Sequence, residues 1–298
     1  MHRGSASTGG LPYALGAYLI WGLLPLYLIA VRQVPPLEFV GWRIVFAFPI
    51  CLAAVAIGKQ RSELAAAIAD RRMLALLSLS ALLIAANWVI YTVAIQAGHV
   101  FAASLGYYIN PLVNVLAGTL FLSERLNRLQ WSAVALAAAG VAPLASQALP
   151  MLGISLSLAA TFCGYGLVRK VTPVSSLTGL TIESGLLMLP ALGIVGWFAL
   201  SPGGSSFGLD TGSSLLLAAS GPITAIALLL FAVAARRMDY SALGFVQFLS
   251  PTLAFLLGLF VFREELRPVQ LVSFATIWTA IALFSWDLWR RRGLIRPA

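Results

Sequence analysis

The sequence predicts an all-α polytopic membrane protein with ten transmembrane helices. Composition, the spacing of the charged residues and an internal repeat lead to this prediction. Of the 298 residues, 60% are hydrophobic and 10% are charged, and the mean hydropathy is +0.93. A soluble domain carries about 25% charged residues, so the composition argues against a soluble fold.

Charged residues divide the chain into apolar segments near 20 residues, the length that crosses a bilayer as a helix. The predicted spans are 11–31, 38–58, 73–98, 100–123, two within 129–168 with a hairpin at 146–150, one within 171–209 followed by a Gly/Ser-rich loop, 211–235, 240–262 and 268–286. No segment resembles a cleaved signal peptide, because no small-residue cleavage site follows an isolated apolar core.

The net charge of +9 follows the predicted topology. With the N-terminus placed in the cytoplasm, fifteen of the nineteen Lys and Arg residues fall on the cytoplasmic side, three fall outside, and Arg43 lies within a span. This asymmetry is a positive-inside signal and places both termini in the cytoplasm. The basic residues are therefore expected to meet anionic lipid headgroups, and nucleic acid is not an expected partner.

An internal repeat appears when the sequence is shifted by 140 residues. Pro111 then falls on Pro251, Gly118 on Gly258, Glu124 on Glu264 and Gln130 on Gln270. The predicted domains are residues 1–146, with spans one to five, and residues 147–298, with spans six to ten. Because five is odd, the second repeat enters the membrane from the opposite side. Inverted repeats are typical of secondary transporters, whose substrate site lies near the midplane between the repeats.

Uncharged polar residues interrupt several of the predicted spans, where polar groups are costly and usually functional. In the fourth span Tyr107, Asn110 and Asn114 share one helix face at i, i+3 and i+7. The full candidate set for a substrate cavity is Trp21, Asn87, Trp88, Tyr91, Ser104, Tyr107, Tyr108, Asn110, Asn114, Gln247 and Ser250. The alternative is that these side chains form hydrogen bonds between packed helices.

Three prolines within spans, Pro25, Pro111 and Pro251, are candidates for bends used in gating. A proline inside a helix leaves a backbone carbonyl without its partner. Such breaks are tolerated where the backbone packs against protein or lines water. The sequence leaves open whether these bends gate a pathway or only shape the packing.

Arg43 and Glu183 are the charges deepest inside the predicted spans. Their depths differ by about 12 Å at a rise of 1.5 Å per residue, so a direct pair is not expected. Arg43 is predicted to extend toward the interface. Glu183 is predicted either to pair with Arg169 or Lys170 or to serve as a proton-coupling site.

The acids that close the matching fourth and ninth spans, Glu124 and Glu264, are predicted to be structural. They are expected to organise the hairpin, for instance by accepting backbone N–H bonds at the start of the next helix. No charged group is predicted at the midplane. Aromatic rings and amides suit a neutral or zwitterionic substrate, with cation–π contact available for an ammonium group.

The sequence gives little support for a metal site, a cofactor or a catalytic role. Cys51 and Cys163 lie in separate spans, and with His2 and His99 they make no ligand cluster, so we expect no metal, no cofactor and no disulfide. A membrane-embedded enzyme such as a lipid-modifying transferase would need clustered acids or a nucleophile with a base. The ten acids are scattered, and no such motif appears, so the sequence predicts a non-enzyme.

Several long stretches resemble the EamA-type drug/metabolite transporter superfamily, and within it the RarD branch. They include GAYLIWGLLPLY, GWRIVF, NWVIYTVAIQAGHVFAASLGYYINPLVNVLAGTLFLSERLNRLQWSAVALAAAGV, GYGLVRK, ESGLLMLP and SALGFVQFLSPTLAFLLGLFVFREEL. The resemblance implies ten helices in two inverted repeats and transport across the bacterial inner membrane. Its family-like cavity positions are Trp21, Asn87, Trp88, Tyr91, Tyr107, Tyr108, Asn110 and Gln247.

The leading hypothesis is a secondary-active or facilitative transporter that exports amino acids or similar small metabolites by alternating access. The alternative is a multidrug or toxic-metabolite efflux transporter that uses the same cavity. The sequence leaves the substrate, the direction, the energy source and the oligomeric state open.

Overall fold

The structure is a computed structural model, and it describes residues 8–97, 100–147, 149–261, 263 and 268–293. Within these ranges, the side chains of residues 8, 96, 100–103, 151 and 291–293 are outside the description. His2, His99 and Glu264, which the sequence analysis singled out, also lie outside the described residues.

All regular structure in the described ranges is helical. Two short 3₁₀ helices cover Thr8–Gly10 and Leu149–Met151. The α-helices are α1 (Leu11–Ala30), α2 (Pro36–Ile57), α3 (Arg61–Ala69), α4 (Arg71–Gln96), α5 (Val100–Phe121), α6 (Arg128–Ser146), α7 (Leu152–Val171), α8 (Ser176–Leu200), α9 (Thr211–Arg237), α10 (Tyr240–Gln247), α11 (Leu249–Phe260) and α12 (Pro268–Gly293).

Nine helical segments of the described chain are long and apolar enough to cross a membrane, which makes the chain a multi-pass membrane protein. They correspond to every predicted span except the fourth, which α5 covers with 22 residues. The predicted boundaries agree with the helix ends to within a few residues, apart from the seventh span, whose helix α8 begins at Ser176. The short helix α3, between the second and third spans, was not predicted.

The ninth predicted span is broken into α10 and α11 at Phe248. The cause is Pro251, which has no N–H to donate to the carbonyl of Gln247 four residues earlier. By contrast, α1 continues through Pro25 and α5 through Pro111. Of the three prolines proposed as bends, only Pro251 follows an interruption of its helix.

Eight helical segments, which include α5, form a closed ring. In order around the ring they are α1, α9, α2, α8, α4, α7, α5 and the α10–α11 segment, which packs back against α1. Helices from the first half of the chain alternate with helices from the second half. A contact between two helices that are not ring neighbours therefore lies in the interior, where a ligand site shared by both halves would be.

Helices α6 and α12 pack against each other beside the ring. Their contact is close at Gly140, where an added Cβ would lie 2.8 Å from Ile277 and 3.0 Å from the Ser273 carbonyl oxygen. A glycine is required here because any side chain would force the helices apart.

The junctions of the ring alternate between two ends. At one end, here called the basic end, lie the start of α1 and the α2–α4, α5–α6, α7–α8 and α9–α10 junctions, with Lys59, Arg71, Arg128, Lys170 and Arg237. The other end, here called the opposite end, holds the start of α2 and the α8–α9 loop.

Helix α3 is attached to the start of α8 at the basic end. The Glu63 carboxylate accepts hydrogen bonds from the Ser175 backbone N–H at 2.6 Å and from the Thr178 hydroxyl at 3.0 Å. Burial alone would raise the pKa of Glu63. The hydrogen bonds from Ser175 and Thr178 outweigh burial and hold the pKa below its ordinary value.

Candidate substrate-binding site

Arg43 lies inside the ring, and its guanidinium is held from several sides. Its Nε donates to Thr224 Oγ1 on α9 at 3.0 Å. Its Cζ lies 4.5 Å from the ring centre of Trp88 on α4 and 5.8 Å from that of Phe39. Because α2 and α4 are separated in the ring by α8, the Arg43–Trp88 contact crosses the interior.

This position corrects the prediction that Arg43 extends toward the interface. Arg43 is the eighth residue of α2, about 20 Å from the basic end at 1.5 Å per residue. Its side chain reaches sideways to Thr224 and Trp88 instead of along the helix. The guanidinium therefore supplies a positive charge in the middle of the protein, where the sequence analysis expected none.

Two tyrosines, Tyr91 and Tyr107, lie beside these residues. Together with Arg43, Phe39, Trp88 and Thr224 they are here called the Arg43 cluster. Tyr91 on α4 and Tyr107 on α5 meet edge to face with ring centres 5.9 Å apart. Their helices are separated by α7, so this contact also lies in the interior. Both phenols lie close enough to interact electrostatically with Arg43. Tyr107 retains 39% exposure, although it lies well within α5.

Nearer the basic end the interior is filled by aromatic side chains. Tyr18 and Trp21 of α1 pack against Phe231 of α9 at 6.3 and 5.7 Å between ring centres. Phe162 of α7 packs 5.5 Å from Trp21, and Tyr165 stacks on Phe231 at 5.8 Å. These five residues, here called the aromatic plug, close the interior on the basic side of the Arg43 cluster.

The plug and Thr224 were not predicted, apart from Trp21. Tyr18 and Trp21 are one turn apart, as are Phe162 and Tyr165. Paired aromatic residues with this spacing on helices from opposite halves could have marked the plug. Thr224 has no such signal, because nothing in its local sequence sets it apart from other threonines in apolar helices.

The asparagines of the predicted cavity face bridge helices. Asn114 Nδ2 donates to Gln247 Oε1 at 2.6 Å, which joins α5 to α10. Asn87 Nδ2 donates to the Leu158 carbonyl at 2.9 Å and to Thr161 Oγ1 at 3.0 Å, which joins α4 to α7. All three amide side chains are buried. In this conformation they hold the ring together.

The remaining candidates are distributed more widely. Asn110 is buried, and its Oδ1 has no hydrogen-bond partner among the described residues. The ring centre of Tyr108 lies 5.6 Å from that of Phe274 on α12. Ser104 is exposed, and Ser250 lies half-buried at the α11 start, where α1 approaches closely at Gly22. Of the predicted set, only Trp88, Tyr91 and Tyr107 are in the Arg43 cluster.

Glu183 and Arg169 form a buried ion pair near the basic end. Arg169 Nη1 lies 3.5 Å from Glu183 Oε1, and Ser80 Oγ donates to the same oxygen at 2.5 Å. Arg169 is one of the two cations that the sequence analysis named for Glu183. Gly179 makes room for the pair, because an added Cβ would lie 1.8 Å from Arg169 Nη1.

A cavity of about 20 Å³ lies between the ion pair and the Arg43 cluster. Its lining includes Trp88 and Thr224 from the cluster and Glu183 from the pair. One water needs roughly 10–15 Å³ by this measure, so the cavity has room for about one water molecule. In this conformation it is too small for a metabolite.

Glu124, in the loop that follows α5, joins the two halves at the basic end. Its carboxylate accepts from the backbone N–H groups of Tyr240 and Ser241 at 2.6 and 2.8 Å and from Ser241 Oγ at 2.6 Å. Lys170 Nζ lies 4.0 Å away. An added Cβ at Gly118 would lie 2.5 Å from Glu124 Oε2, so this glycine leaves space for the carboxylate.

Glu124 thus accepts backbone N–H bonds at a helix start, but the helix is not the one predicted. The next helix along the chain, α6, is capped by Asn127, which forms a capping box with Gln130. Glu124 instead binds the start of α10 in the other half of the chain. The sequence did not reveal this partner, because the end of α5 and the start of α10 are far apart in sequence and come together only in the folded ring.

Comparison with known proteins identifies the family. Residues 8–146 match the EamA-like transporter family. An uncharacterised transporter of Pseudomonas aeruginosa is 42% identical over 96% of this chain and 97% of its own. Protein RarD of Escherichia coli is 40% identical over 93% of this chain and 94% of its own. The chain belongs to the EamA-type drug/metabolite transporter superfamily, in its RarD branch.

The matched family is one of transporters, and this chain belongs to it. A second Pseudomonas aeruginosa relative, named chloramphenicol-sensitive protein RarD, is 31% identical over 97% of this chain. A solved structure superposes with a TM-score of 0.73 over 95% of this chain and 99% of its own, at 17% identity. That likeness concerns the fold alone.

Proposed function

We propose that this EamA transporter exports amino acids or similar small neutral or zwitterionic metabolites across the bacterial inner membrane by alternating access. The observation that carries the proposal is the asymmetric interior of the ring. Polar and aromatic groups surround Arg43 in the interior, while the aromatic plug and the Glu124 contacts close the basic end. Alternating access requires a conformation in which one side of the site is closed, as the basic end is here.

The proposed orientation places the basic end in the cytoplasm, with ten spans and both termini inside. It is supported by the distribution of Lys and Arg and by α5, which has the length of a tenth span. On this orientation the conformation described here is closed toward the cytoplasm. Export then requires a second conformation in which the Glu124 contacts separate and the plug opens, so that substrate enters from the cytoplasm. The two repeats, residues 1–146 and 147–298, are the proposed moving units.

The test is exchange of labelled amino acids in proteoliposomes that contain the purified full-length chain, with and without a pH gradient. We expect exchange above that of empty liposomes for at least one amino acid. A rate that changes with the pH gradient would indicate proton coupling, for which Glu183 is the candidate group. Absence of exchange for every amino acid in either condition would contradict the proposal.

Efflux of drugs or toxic metabolites is the second candidate function. It is favoured by the name of the chloramphenicol-sensitive relative and by the aromatic walls of the interior, which suit flat apolar molecules. Growth of overexpressing cells on a panel of antibiotics separates the two functions. An enzymatic role would instead require measured turnover of a lipid.

A further inference from the structure

We propose that Arg43 is the binding site for a carboxylate group of the substrate, with Trp88, Tyr91 and Tyr107 forming the wall for its apolar or aromatic body. The inference deepens the proposed transport function and rests on it for the meaning of the site. It selects among metabolites, because it predicts that molecules that lack a carboxylate bind poorly.

The first ground is that Arg43 has no acidic partner among the described residues. Each of the eight described Asp and Glu residues contacts groups other than Arg43. Glu38 accepts from Trp42, Ser205 and Ser206; Glu183 pairs with Arg169; Glu63 binds the start of α8 and Glu124 the start of α10; Asp70 and Asp210 cap helices; Asp287 accepts from Asn127; and Asp239 lies near Lys170.

A charge in the middle of a membrane protein without a counter-ion is costly, and such residues usually mark a substrate or ion pathway. The contacts that Arg43 does make explain how the charge is tolerated. The faces of Trp88 and Phe39 attract the cation through their π systems, and Thr224 accepts one hydrogen bond. None of these partners carries a negative charge, so the site stays electrostatically unsatisfied until an anion arrives.

The second ground is the orientation of the guanidinium. Nε is the only nitrogen of Arg43 with a hydrogen-bond partner among the described residues, and that bond to Thr224 fixes the plane of the group. The two Nη atoms remain available, and the side chain is only half-buried. Two parallel N–H donors are the geometry that binds a carboxylate in a bidentate manner. A cationic ligand would be repelled from the same place.

The third ground is the composition of the surroundings. Tyr91 and Tyr107 meet edge to face, and neither phenol has a hydrogen-bond partner among the described residues while Tyr107 is 39% exposed. Trp88 supplies a third ring. An apolar or aromatic substrate body would pack against these rings, and the phenol groups would serve polar atoms beside the carboxylate. The sequence-based expectation of an ammonium group on a ring therefore changes, because Arg43 already covers Trp88.

The test compares two probes that differ only at the carboxylate, 3-phenylpropanoate and 3-phenylpropanamide, with phenethylamine as a cationic third. Binding is measured as ligand-induced thermal stabilisation of the full chain in detergent. A charge-assisted bidentate contact predicts that the acid binds about 10- to 100-fold more tightly than the amide. Arg43→Gln should abolish this preference, and Arg43→Lys should retain only part of it, because an ammonium cannot form the bidentate contact.

Arg32→Gln is the matched control, since it removes an exposed arginine near the end of α1; the acid preference should persist in it. Equal binding of acid and amide to the wild-type chain, stabilisation by none of the probes, or an unchanged preference in Arg43→Gln would each overturn the proposal. If Arg43→Gln does not fold, the wild-type comparison and Arg43→Lys still decide it.

The outcomes also separate this inference from the proposed function. If the wild-type chain exchanges no amino acid but shows acid binding that depends on Arg43, the carboxylate site stands and amino-acid transport fails. If the wild-type and Arg43→Gln proteins exchange amino acids at equal rates, transport stands and the carboxylate site fails.

Discussion

Replacement of Glu124 by glutamine should open the basic end of this transporter. Glutamine is nearly isosteric, but it replaces one acceptor oxygen by an NH₂ donor and removes the negative charge. Three hydrogen bonds at 2.6 to 2.8 Å join this carboxylate to the start of α10. The change therefore acts on the contact between α5 and α10, which belong to different halves of the chain.

The magnitude follows from the hydrogen bonds that are lost or weakened. A hydrogen bond to a charged group contributes about 1.5–3 kcal/mol and a neutral one about 0.5–1.5 kcal/mol. Part of the loss is recovered, because the freed N–H groups at the basic end can reach water. We expect a net loss of about 2 kcal/mol for the closed state, which corresponds to about a 30-fold larger open population.

Cys163 provides the readout. It is 3% exposed, its Sγ lies 3.8 Å from the Val113 carbonyl oxygen of α5, and its own carbonyl accepts from the Tyr240 hydroxyl at 2.8 Å. In a Cys51→Ala background, the rate of maleimide labelling of Cys163 should rise about 10- to 30-fold with Glu124→Gln, in proportion to the open population. Asp70→Asn, at an exposed cap of α4, is the control. An unchanged labelling rate would refute the reasoning.

Three further predictions concern packing, the buried ion pair and pH. Gly221→Ala should lower the melting temperature, since an added Cβ would lie 2.5 Å from the Phe46 backbone and overpacking costs about 1–3 kcal/mol, whereas Gly193→Ala, with nothing within 4 Å, should leave it unchanged or higher. Arg169→Gln should destabilise the protein by about 3–5 kcal/mol, because it leaves the buried Glu183 charge unpaired, and adding Glu183→Gln should recover stability in a double-mutant cycle; strictly additive losses would contradict the pairing. Because folding lowers the pKa of Glu63, its stabilising effect is present above the unfolded pKa and is lost as the pH falls through the folded value; the difference in melting temperature between wild type and Glu63→Gln should therefore shrink as the pH falls below about 4.3, and a difference that grows there would contradict it.

The sequence predicted the helices well and the site only in part. Apolar length and charge spacing depend on local composition, so the spanning helices could be read directly. Trp88, Tyr91 and Tyr107, which the structure places near Arg43, were proposed from the sequence because polar and aromatic residues stand out against an apolar background. Thr224 and most of the aromatic plug were missed, because their residue types are ordinary in apolar helices and their role comes only from neighbours on other helices.

The sequence also failed to predict the direction in which long side chains extend. Arg43 and Glu124 were both noticed in the sequence, yet each was assigned the wrong surroundings. A long flexible side chain can reach several places from the same backbone position, and the choice depends on which groups the neighbouring helices offer. The predictions that Arg43 extends toward the interface and that Glu124 binds the next helix used only nearby residues. The groups that they contact in the structure, Thr224, Trp88 and the start of α10, are all distant in sequence.

The sequence by itself determined that the chain is a helical membrane protein of the EamA type, with its basic residues concentrated at one end. The helical membrane class and the basic end follow from composition and charge spacing, which each segment carries independently of the others, and the EamA type follows from the resemblance of long sequence stretches. Only the tertiary structure decided that Arg43 turns inward without an acidic partner, and that Glu124 joins the two halves. Both depend on the order of helices around the ring, because that order determines which side chains from opposite halves come within bonding distance.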